Sequence, residues 1–310
     1  MSVRVLRPGL FTTIQDSGRW GYQHVGVPVA GSMDTVSHRL ANAIVGNEAS
    51  AATLEITLVG PELQCDRPTL FAVTGAEFNV RLDGAAVAAN TSYLARAGQV
   101  IRFGRRWSGV RGYLAVEGGF DVPSVLGSRS THVVSRMGGV KGRALRTGDS
   151  IDVAMSTGRA VVEGTRRTSI FQMPTNGIRV RAIVGPHAEI FGPVRLRAFE
   201  RTRYRVAPES DRMGYRLKGE RFSLSDDLNV ISSAVPIGSV QIPPDGLPIV
   251  LMADHQTTGG YPRIATVISA DLPLVGQLKA SDWIEFELCS PSEAVRALIR
   301  QERALMTANG

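Results

Sequence analysis

The segment from Asp254 to Tyr261 carries residue types that could act on an amide group. Asp254 and Gln256 follow the apolar run from Leu247 to Ala253, and side chains at the end of such a strand point into the mouth of a barrel. A carboxylate placed there could serve as a general base or as a Mg²⁺ ligand, and a carboxamide could hydrogen-bond an amide. The alternative is a tight turn in which Asp254 is only the cap.

Other polar, glycine-flanked blocks supply further candidates. Arg19 could clamp a carboxylate or a phosphate, because its fork of N–H donors suits both anions; the alternative is an ion pair with Asp16 inside its own loop. The predicted catalytic residues are Asp254, Gln256 and Arg19, which a catalytic pocket must bring together. The predicted substrate-binding residues are Asp16, Gln241, Thr257, Thr258, Gly259, Gly260, Tyr261, Asp211 and Arg212, with a turn-stabilising pair as the alternative for the last two.

Several standard signatures are missing from the sequence. It contains no P-loop, no strand-linked GxGxxG and no GxSxG, which disfavours a P-loop nucleotide site and a serine hydrolase of the α/β type. The five histidines show no zinc-site spacing, and we predict no metal site in the chain. His255, beside the candidate loop, is interpreted as a surface residue, with a proton relay as the alternative.

Short strands separated by glycines and tight turns such as Asp83-Gly84 must position these residues. Segments such as Ser150–Val153, Tyr204–Val206 and Trp283–Leu288 are predicted strands. Because they do not alternate with long helices, the pattern favours barrels or sandwiches over a doubly wound α/β fold.

Few helices are predicted. Ser32 is expected to cap a helix over residues 33–45, and the capping box from Ser290 to Glu293 predicts a helix at the C-terminus. The periodicity breaks from Thr157 to Gly177, which indicates a linker. We therefore divide the chain into domains 1–165 and 166–310.

Charge and cysteine content narrow the class of protein. The net charge is +7, and all but three of the 35 basic residues are arginines dispersed along the chain. This distribution argues against specific nucleic-acid binding and fits anionic small molecules or an acidic partner. No apolar stretch approaches the about 20 residues of a membrane helix. Cys65 and Cys289 fit no disulfide framework, so we expect a soluble protein of the reducing cytoplasm.

Two long blocks carry a resemblance to a known family. TTIQDSGRWGY near the start and QIPPDGLPIVLMADHQTTGGYPRIA near the end resemble the allophanate hydrolase subunit 2 family, also called the biotin-dependent carboxyltransferase family or the 5-oxoprolinase C-subunit family. The resemblance covers about Val3 to Phe286 and implies a mainly β fold of two tandem cyclophilin-like β-barrel domains with a few short helices. One departure is Ala280-Ser281-Asp282, where the family often has Pro-Gly-Asp, which affects local geometry only.

The resemblance also implies a function. It indicates a subunit of a heteromeric, ATP-dependent enzyme that processes an amide or lactam, with cleavage of 5-oxoproline to glutamate as the favoured reaction. The expected partners are a KipI-like subunit 1 homologue (the 5-oxoprolinase B-subunit) and a LamB/YcsF-like third protein, and ATP and Mg²⁺ are expected for the complex.

Two alternatives stay open. One is a carboxyltransferase component of a urea carboxylase or allophanate hydrolase system, with biotin carried by another protein. The other is a KipA-like regulatory binding subunit that antagonises a kinase inhibitor by sequestering this partner from the kinase. For the enzyme, we expect Asp254→Asn and Gln256→Ala to lower turnover while leaving the melting temperature nearly intact.

Overall fold

The computed structural model describes residues 2–155, 161–223 and 230–307. Its N-terminal strands are β1 (Ser2–Arg7), β2 (Phe11–Gln15), β3 (Thr53–Thr57), β4 (Glu62–Cys65), β5 (Thr69–Leu82), β6 (Ala85–Val87), β7 (Ser92–Ala95), β8 (Val100–Val116), β9 (Phe120–Asp121) and β10 (Ser150–Val153). The strands that follow are β11 (Gly177–Val184), β12 (Tyr204–Val206), β13 (Gly214–Lys218), β14 (Ser233–Ala234), β15 (Ser239–Gln241), β16 (Ile249–Leu251), β17 (Thr258–Gly259), β18 (Arg263–Val267) and β19 (Trp283–Leu288). The helices are α1 (Thr35–Ile44), α2 (Ala188–Arg201), α3 (Leu272–Val275) and α4 (Pro291–Thr307).

The N-terminal strands form one ten-stranded, barrel-like sheet. They are joined in the order β2-β3-β8-β4-β1-β10-β9, and β5 pairs with β6, β7 and β8. The long strand β5 replaces two predicted strands, because Gly75 lies inside it at a shift in register against β8 instead of ending it. Gly75 has φ +80°, and a Cβ there would lie 2.4 Å from the carbonyl oxygen of Arg111, so only glycine fits this bulge. The predicted Asp83-Gly84 turn joins β5 to β6.

The C-terminal strands close into a barrel in the order β11-β18-β15-β16-β13-β12-β19. A parallel pairing of β11 with β19 closes the ring, and the other neighbours are antiparallel. The aromatic rings of Phe199 and Phe286 stack 4.5 Å apart, and burial of such rings supplies much of the stabilisation of a small barrel. Strands β14 and β17 form a separate two-stranded ribbon.

The helices follow local capping chemistry. Asp34, and not the predicted Ser32, is the N-cap of α1, because Oδ1 of Asp34 accepts a hydrogen bond from the backbone N–H of Ser37 at 2.8 Å. The predicted capping box of α4 is confirmed: the N–H of Ser290 donates to Glu293, and the N–H of Glu293 donates to Oγ of Ser290. Helix α2 was not predicted, because Gly192-Pro193 kinks it and interrupts its periodicity.

The chain forms two compact units. The N-terminal unit comprises Met1–Trp20, Ala30–Thr175 and Ala304–Gly310, and the C-terminal unit comprises Gly21–Val29 and Asn176–Arg303. The mainly β fold with two barrel-like sheets and a few short helices is confirmed. The domain limits 1–165 and 166–310 stay a prediction, and residues 157–160 of the predicted linker lie outside the described residues.

Two further sequence expectations concern the membrane and the cysteines. Within the described ranges, no helix is both long and apolar enough to cross a membrane. Cys65 and Cys289 are free thiols, and burial raises the pKa of Cys65 to about 11.

Candidate functional site

A buried ion pair anchors the C-terminal candidate loop. Asp254 lies just beyond β16, and its carboxylate accepts two hydrogen bonds of 2.9 Å from Nε and Nη2 of Arg212. The backbone N–H of Asp254 also donates to the carbonyl oxygen of Arg212 at 2.8 Å. Both side chains are less than a tenth exposed. The pair therefore holds the start of the candidate loop to the turn before β13, which makes Asp254 a positioning residue in this arrangement.

Asp211, predicted to bind substrate, stabilises its own turn. Its Oδ1 accepts hydrogen bonds from the backbone N–H groups of Met213 at 2.8 Å and Gly214 at 3.3 Å. This is the Asx-type contact that presets a turn. The structure thus separates the two neighbours: Asp211 shapes the turn, and Arg212 reaches the carboxylate of Asp254.

His255 is buried, so its expected position at the surface is wrong. Its Nδ1 lies 2.7 Å from the carbonyl oxygen of Met252, and its Nε2 lies 3.1 Å from that of Val235. A neutral imidazole can donate from only one of its two nitrogens. The ring joins the end of β16 to the segment after β14, which is a structural task and not that of a surface group.

Two carboxamides converge on Gly259 in the ribbon strand β17. A Cβ built on Gly259 would lie 2.6 Å from Nε2 of Gln241 and 3.6 Å from Nε2 of Gln256. Gln241 is 1% exposed, and its Nε2 has no hydrogen-bond partner among the described residues. Oγ of Ser239, two residues earlier on the same face of β15, is also buried without such a partner. Buried polar atoms are nearly always paired, so these two atoms are the unsatisfied polar groups nearest to the candidate loop among the described residues.

The rest of the candidate loop is held by backbone pairing in the two-stranded ribbon. Thr258 and Gly259 pair with Ala234 and Ser233 in the ribbon, and the carbonyl oxygen of Thr257 accepts from the N–H of Val235 at 3.1 Å. Tyr261 is 45% exposed, and Gln256 is exposed at the loop surface. Gln241 is therefore buried, whereas Gln256 and Tyr261 are exposed on the same loop and strand pair.

The N-terminal candidate residues lie in a clamp between two loops. Asp16 accepts four hydrogen bonds: from the N–H of Gly18 (2.8 Å), Oγ of Ser128 (2.7 Å), Oγ of Ser130 (2.5 Å) and the N–H of Arg129 (2.5 Å). All four donors are uncharged backbone or hydroxyl groups. They tie the segment after β2 to residues 128–130, so Asp16 has a structural task in this unit.

Arg19 completes the same clamp. Its side chain is fully buried, and its Nη2 donates to the carbonyl oxygen of Ser130 at 2.5 Å. Gly138 packs against it, since a Cβ there would lie 2.8 Å from Nη2 of Arg19 and 2.1 Å from the oxygen of Ser130. These contacts describe a guanidinium that organises backbone, and they lend no support to its predicted catalytic role.

A cluster of buried polar side chains joins α1 to strands β3 and β8. Nδ1 of His38 is 2.9 Å from Oγ1 of Thr53, and the hydroxyl of Tyr113 donates to Glu55 at 2.6 Å. Burial lowers the pKa of His38 to about 4, although Asp16 and Glu55 act in the opposite direction. Burial, followed by the charge of Glu55, raises the pKa of Tyr113. His38 is therefore neutral at pH 7.

Comparison with known proteins decides the family. The family model described as carboxyltransferase domain, subdomain A and B, matches residues 25–288. The chain belongs to this carboxyltransferase family. It is similar to the C-subunit of 5-oxoprolinase from Escherichia coli strain K12, with 39% identity over 97% of this chain and 96% of that protein. It is similar to the C-subunit of 5-oxoprolinase from Haemophilus influenzae, with 38% identity over 94% of this chain and 92% of that protein.

A solved structure shows the same fold. The crystal structure of the K. lactis urea amidolyase matches with a TM-score of 0.93 and 32% identity, over 99% of this chain and 20% of that chain. The carboxyltransferase-family chain thus corresponds to nearly the whole of two 5-oxoprolinase subunits and to a fifth of a much longer urea-processing enzyme.

In this carboxyltransferase-family chain, the predicted site residues fall into both units. Asp16 and Arg19 belong to the N-terminal unit, and the other predicted residues belong to the C-terminal unit. The convergence of Asp254, Gln256 and Arg19 therefore stays a prediction. What the structure brings together is Arg212 with Asp254, and Gln241 with Gly259. Ser239 was not among the predicted site residues, although the order Ser239, Val240, Gln241 places two polar residues either side of an apolar one on a short buried strand.

A metal site is not formed by the side chains seen here. Among the described residues, no group of three or more His, Cys, Asp or Glu side chains is placed to hold a metal ion. Asp254 does not fit the Mg²⁺ role considered for it, because both of its oxygens bind the guanidinium of Arg212.

Proposed function

We propose that this chain is a subunit of a cytoplasmic 5-oxoprolinase, a heteromeric enzyme that opens the lactam ring of 5-oxoproline to glutamate at the expense of ATP. The observation that carries the proposal is the full-length similarity to two proteins named as the C-subunit of 5-oxoprolinase, at 39% and 38% identity. The free thiols of Cys65 and Cys289 are in keeping with a reducing compartment.

The chemistry of the site around Gly259 supports the proposal. Opening a lactam breaks its C–N bond; water supplies a hydroxyl to the carbonyl carbon and a proton to the nitrogen. Negative charge gathers on the carbonyl oxygen on the way, and preorganised donors stabilise it. Nε2 of Gln241 is such a donor, buried and without a partner among the described residues, and the hydroxyl of Ser239 is a second. Gln256, exposed on the same loop, can orient the amide.

The predicted catalytic residues divide their tasks in this proposal. Gln241 and Gln256 contact the substrate, and Thr257, Thr258, Gly260 and Tyr261 line its entrance. Asp254 acts through Arg212 as a positioning residue that fixes the start of the loop against the turn before β13. Arg19 and Asp16 act as positioning residues in the N-terminal unit.

In this proposal, ATP and Mg²⁺ bind to the assembled complex and not to this chain alone. We propose a subunit 1 homologue and a LamB/YcsF-like protein as partners, with ATP and Mg²⁺ bound by the assembled enzyme. The naming of both relatives as subunits supports a multi-subunit enzyme. An isolated chain is therefore expected to release no glutamate from 5-oxoproline.

A second candidate function rests on the fold match. The TM-score of 0.93 to a urea amidolyase favours a carboxyltransferase component acting on urea, with biotin on another protein. The same carboxamides would then hold the amide of urea. Presence or absence of a biotinylated partner in the purified complex distinguishes the two candidates.

The test is a single added methyl group. Gly259 has an ordinary backbone conformation, so Gly259→Ala leaves the strand intact and displaces the carboxamide of Gln241. We expect turnover of 5-oxoproline by the reconstituted complex to fall at least tenfold, which is about 1.4 kcal/mol of transition-state stabilisation. The control is Gly104→Ala in β8, whose Cβ would be crowded at 3.0 Å by a carbonyl oxygen of the N-terminal unit. Full activity in Gly259→Ala would overturn the site.

A further inference from the structure

Helix α4 packs on the C-terminal barrel through small side chains. Ala294 and Ala297 join an apolar cluster with Ile268 and Ala270, and Nε2 of Gln301 donates to the carbonyl oxygen of Ala270 at 2.8 Å. These three helix positions are spaced i, i+3 and i+7, so they lie on one face of the helix. The covered face of this part of α4 therefore consists of two alanines and a glutamine.

The larger apolar side chains of the same turns are exposed. Val295 is 56% exposed, Leu298 37% and Ile299 45%. Their spacing of i, i+3 and i+4 places them side by side in one row on the helix surface. In a helix that serves only its own domain, this spacing marks the face that packs on the core. In α4 the arrangement is reversed, because alanines occupy the covered face and the larger side chains remain in water.

The reversal is unfavourable for the chain on its own. Apolar burial stabilises a fold in proportion to the area removed from water, and alanine has the least area to bury. Single exposed hydrophobic side chains are ordinary, whereas adjoining ones mark a contact surface. The capping box at Ser290 and the hydrogen bond of Gln301 hold this part of the helix, so the row is presented on a fixed element.

A basic row runs beside the apolar row. Arg296 and Arg300 are exposed and spaced i and i+4, whereas Glu293 at the start of the helix is engaged with Ser290 in the capping box. Exposed arginines need no counter-charge in water, but any surface that covers the apolar row comes to lie beside them. A second copy of this chain would bring the same two arginines and a further net charge of +7. Charge complementarity therefore favours a different protein, with carboxylates at the edge of its contact surface.

We propose that the row of Val295, Leu298 and Ile299 docks the subunit 1 partner, through an apolar patch of that protein edged with Asp or Glu side chains. The proposal rests on the function proposed above, from which it takes this partner. The three apolar side chains form the anchor of the contact, and Arg296 and Arg300 form its rim, which is the usual distribution at a protein interface. The anchor sets how long the complex lasts, and the rim sets how fast it forms.

The experiment measures the kinetics with which the purified subunit 1 homologue binds the full chain. Leu298→Ala combined with Ile299→Ala removes most of the row and keeps the helix, since alanine is the best helix former. We expect this double variant to bind at least tenfold more weakly, mainly through faster dissociation, with an unchanged melting temperature. Val194→Ala, at a 70% exposed valine of helix α2, is the matched control and is expected to bind as wild type does.

Removal of charge tests the chemistry of the partner. Arg296→Gln combined with Arg300→Gln is expected to slow association at least threefold at about 50 mM salt, and the effect should shrink at about 500 mM, where the charges are screened. An equal association rate for wild type and this variant at low salt would contradict a carboxylate-edged partner surface.

Three further results overturn the proposal. Unchanged binding by the alanine double variant means that the partner docks elsewhere, and an absence of binding by wild type removes the partner itself. If the isolated wild-type chain sediments as a dimer and the alanine double variant as a monomer, the row is an interface between copies. Release of glutamate from 5-oxoproline by the wild-type complex is assayed separately. A complex that forms through α4 but releases no glutamate contradicts the proposed 5-oxoprolinase and leaves this docking surface standing.

Discussion

Asp16 in the N-terminal unit and Asp254 in the C-terminal unit are equally buried carboxylates that solve the same problem in different ways. Asp16 spreads its charge over four uncharged donors from two loops. Asp254 relies on the guanidinium of Arg212. Loss of one donor leaves Asp16 with three, whereas loss of Arg212 leaves a buried carboxylate without its counter-charge. The C-terminal loop is therefore expected to be the more fragile of the two.

The largest expected effect comes from breaking the ion pair. Arg212→Ala should cost about 3–5 kcal/mol of unfolding free energy, because it removes one partner of a buried charge pair. Ser128→Ala, which removes one of four donors to Asp16, should cost about 1–2 kcal/mol. Urea unfolding of both variants measures the difference.

A double replacement sharpens the same comparison. Arg212→Met combined with Asp254→Leu removes both charges and should recover most of the lost stability, since apolar pairs often substitute for buried ion pairs. The comparison fails if Arg212→Ala is no more destabilising than Ser128→Ala. The expectation from sequence that Asp254 can be changed without effect on melting is revised on the same grounds.

The next effect is specific to the N-terminal unit and depends on pH. Burial lowers the pKa of His38 to about 4 from an ordinary value of 6.5, so the unfolded chain takes up this proton before the folded protein does. Stability should therefore be complete above about pH 6.5 and decline as the pH falls towards 4. The decline should amount to about 3 kcal/mol, at about 1.4 kcal/mol per pKa unit.

His38→Asn tests this prediction, because the amide nitrogen of Asn can occupy the place of Nδ1 opposite Thr53. Urea unfolding at several pH values should show a flatter profile for the variant than for wild type between pH 6.5 and 4. Identical profiles would mean that His38 does not titrate with folding.

Much of the fold could be predicted from sequence, because strand signals are local. The predicted strands Ser150–Val153, Tyr204–Val206 and Trp283–Leu288 match β10, β12 and β19 in their bounds. The prediction was wrong where glycine is compatible with two structures. Gly75 was predicted to form a turn between two strands, and it lies in a bulge inside one strand. The prediction was also wrong at Gly192, which kinks a helix without ending it.

The site was less predictable than the fold, because its contacts are distant in sequence. Asp254 was identified, but its partner Arg212 lies 42 residues earlier and was predicted to bind substrate, with a turn pair with Asp211 as the alternative. Periodicity reports which face a residue occupies and not which charge lies opposite. Gln241 was identified as a ligand-binding residue, and the structure adds that its Nε2 has no partner among the described residues.

A smaller effect separates binding from scaffolding in the C-terminal loop. Gln241→Met keeps the shape of the side chain and removes a buried donor that no described residue satisfies. We expect a gain of about 1 kcal/mol in stability together with a loss of turnover of at least tenfold in the reconstituted complex. Gln256→Met, at an exposed position, is the matched control for stability and should not change the melting temperature. A destabilised Gln241→Met would show that the carboxamide is already satisfied in the folded chain.

The smallest expected effect concerns a partly exposed pair in the N-terminal unit, which tests whether exposure, more than geometry, sets the strength of these contacts. Arg143 binds Asp149 through two hydrogen bonds, as Arg212 binds Asp254, but its side chain is 23% exposed. These hydrogen bonds lower the pKa of Asp149, so the pair stabilises the protein above the ordinary carboxyl range near pH 4 and its contribution is lost as the pH falls through the lowered value. Arg143→Gln should cost about 1 kcal/mol at pH 7 and almost nothing near pH 2. If its cost at pH 7 equals that of Arg212→Ala, bidentate geometry and not burial governs both pairs.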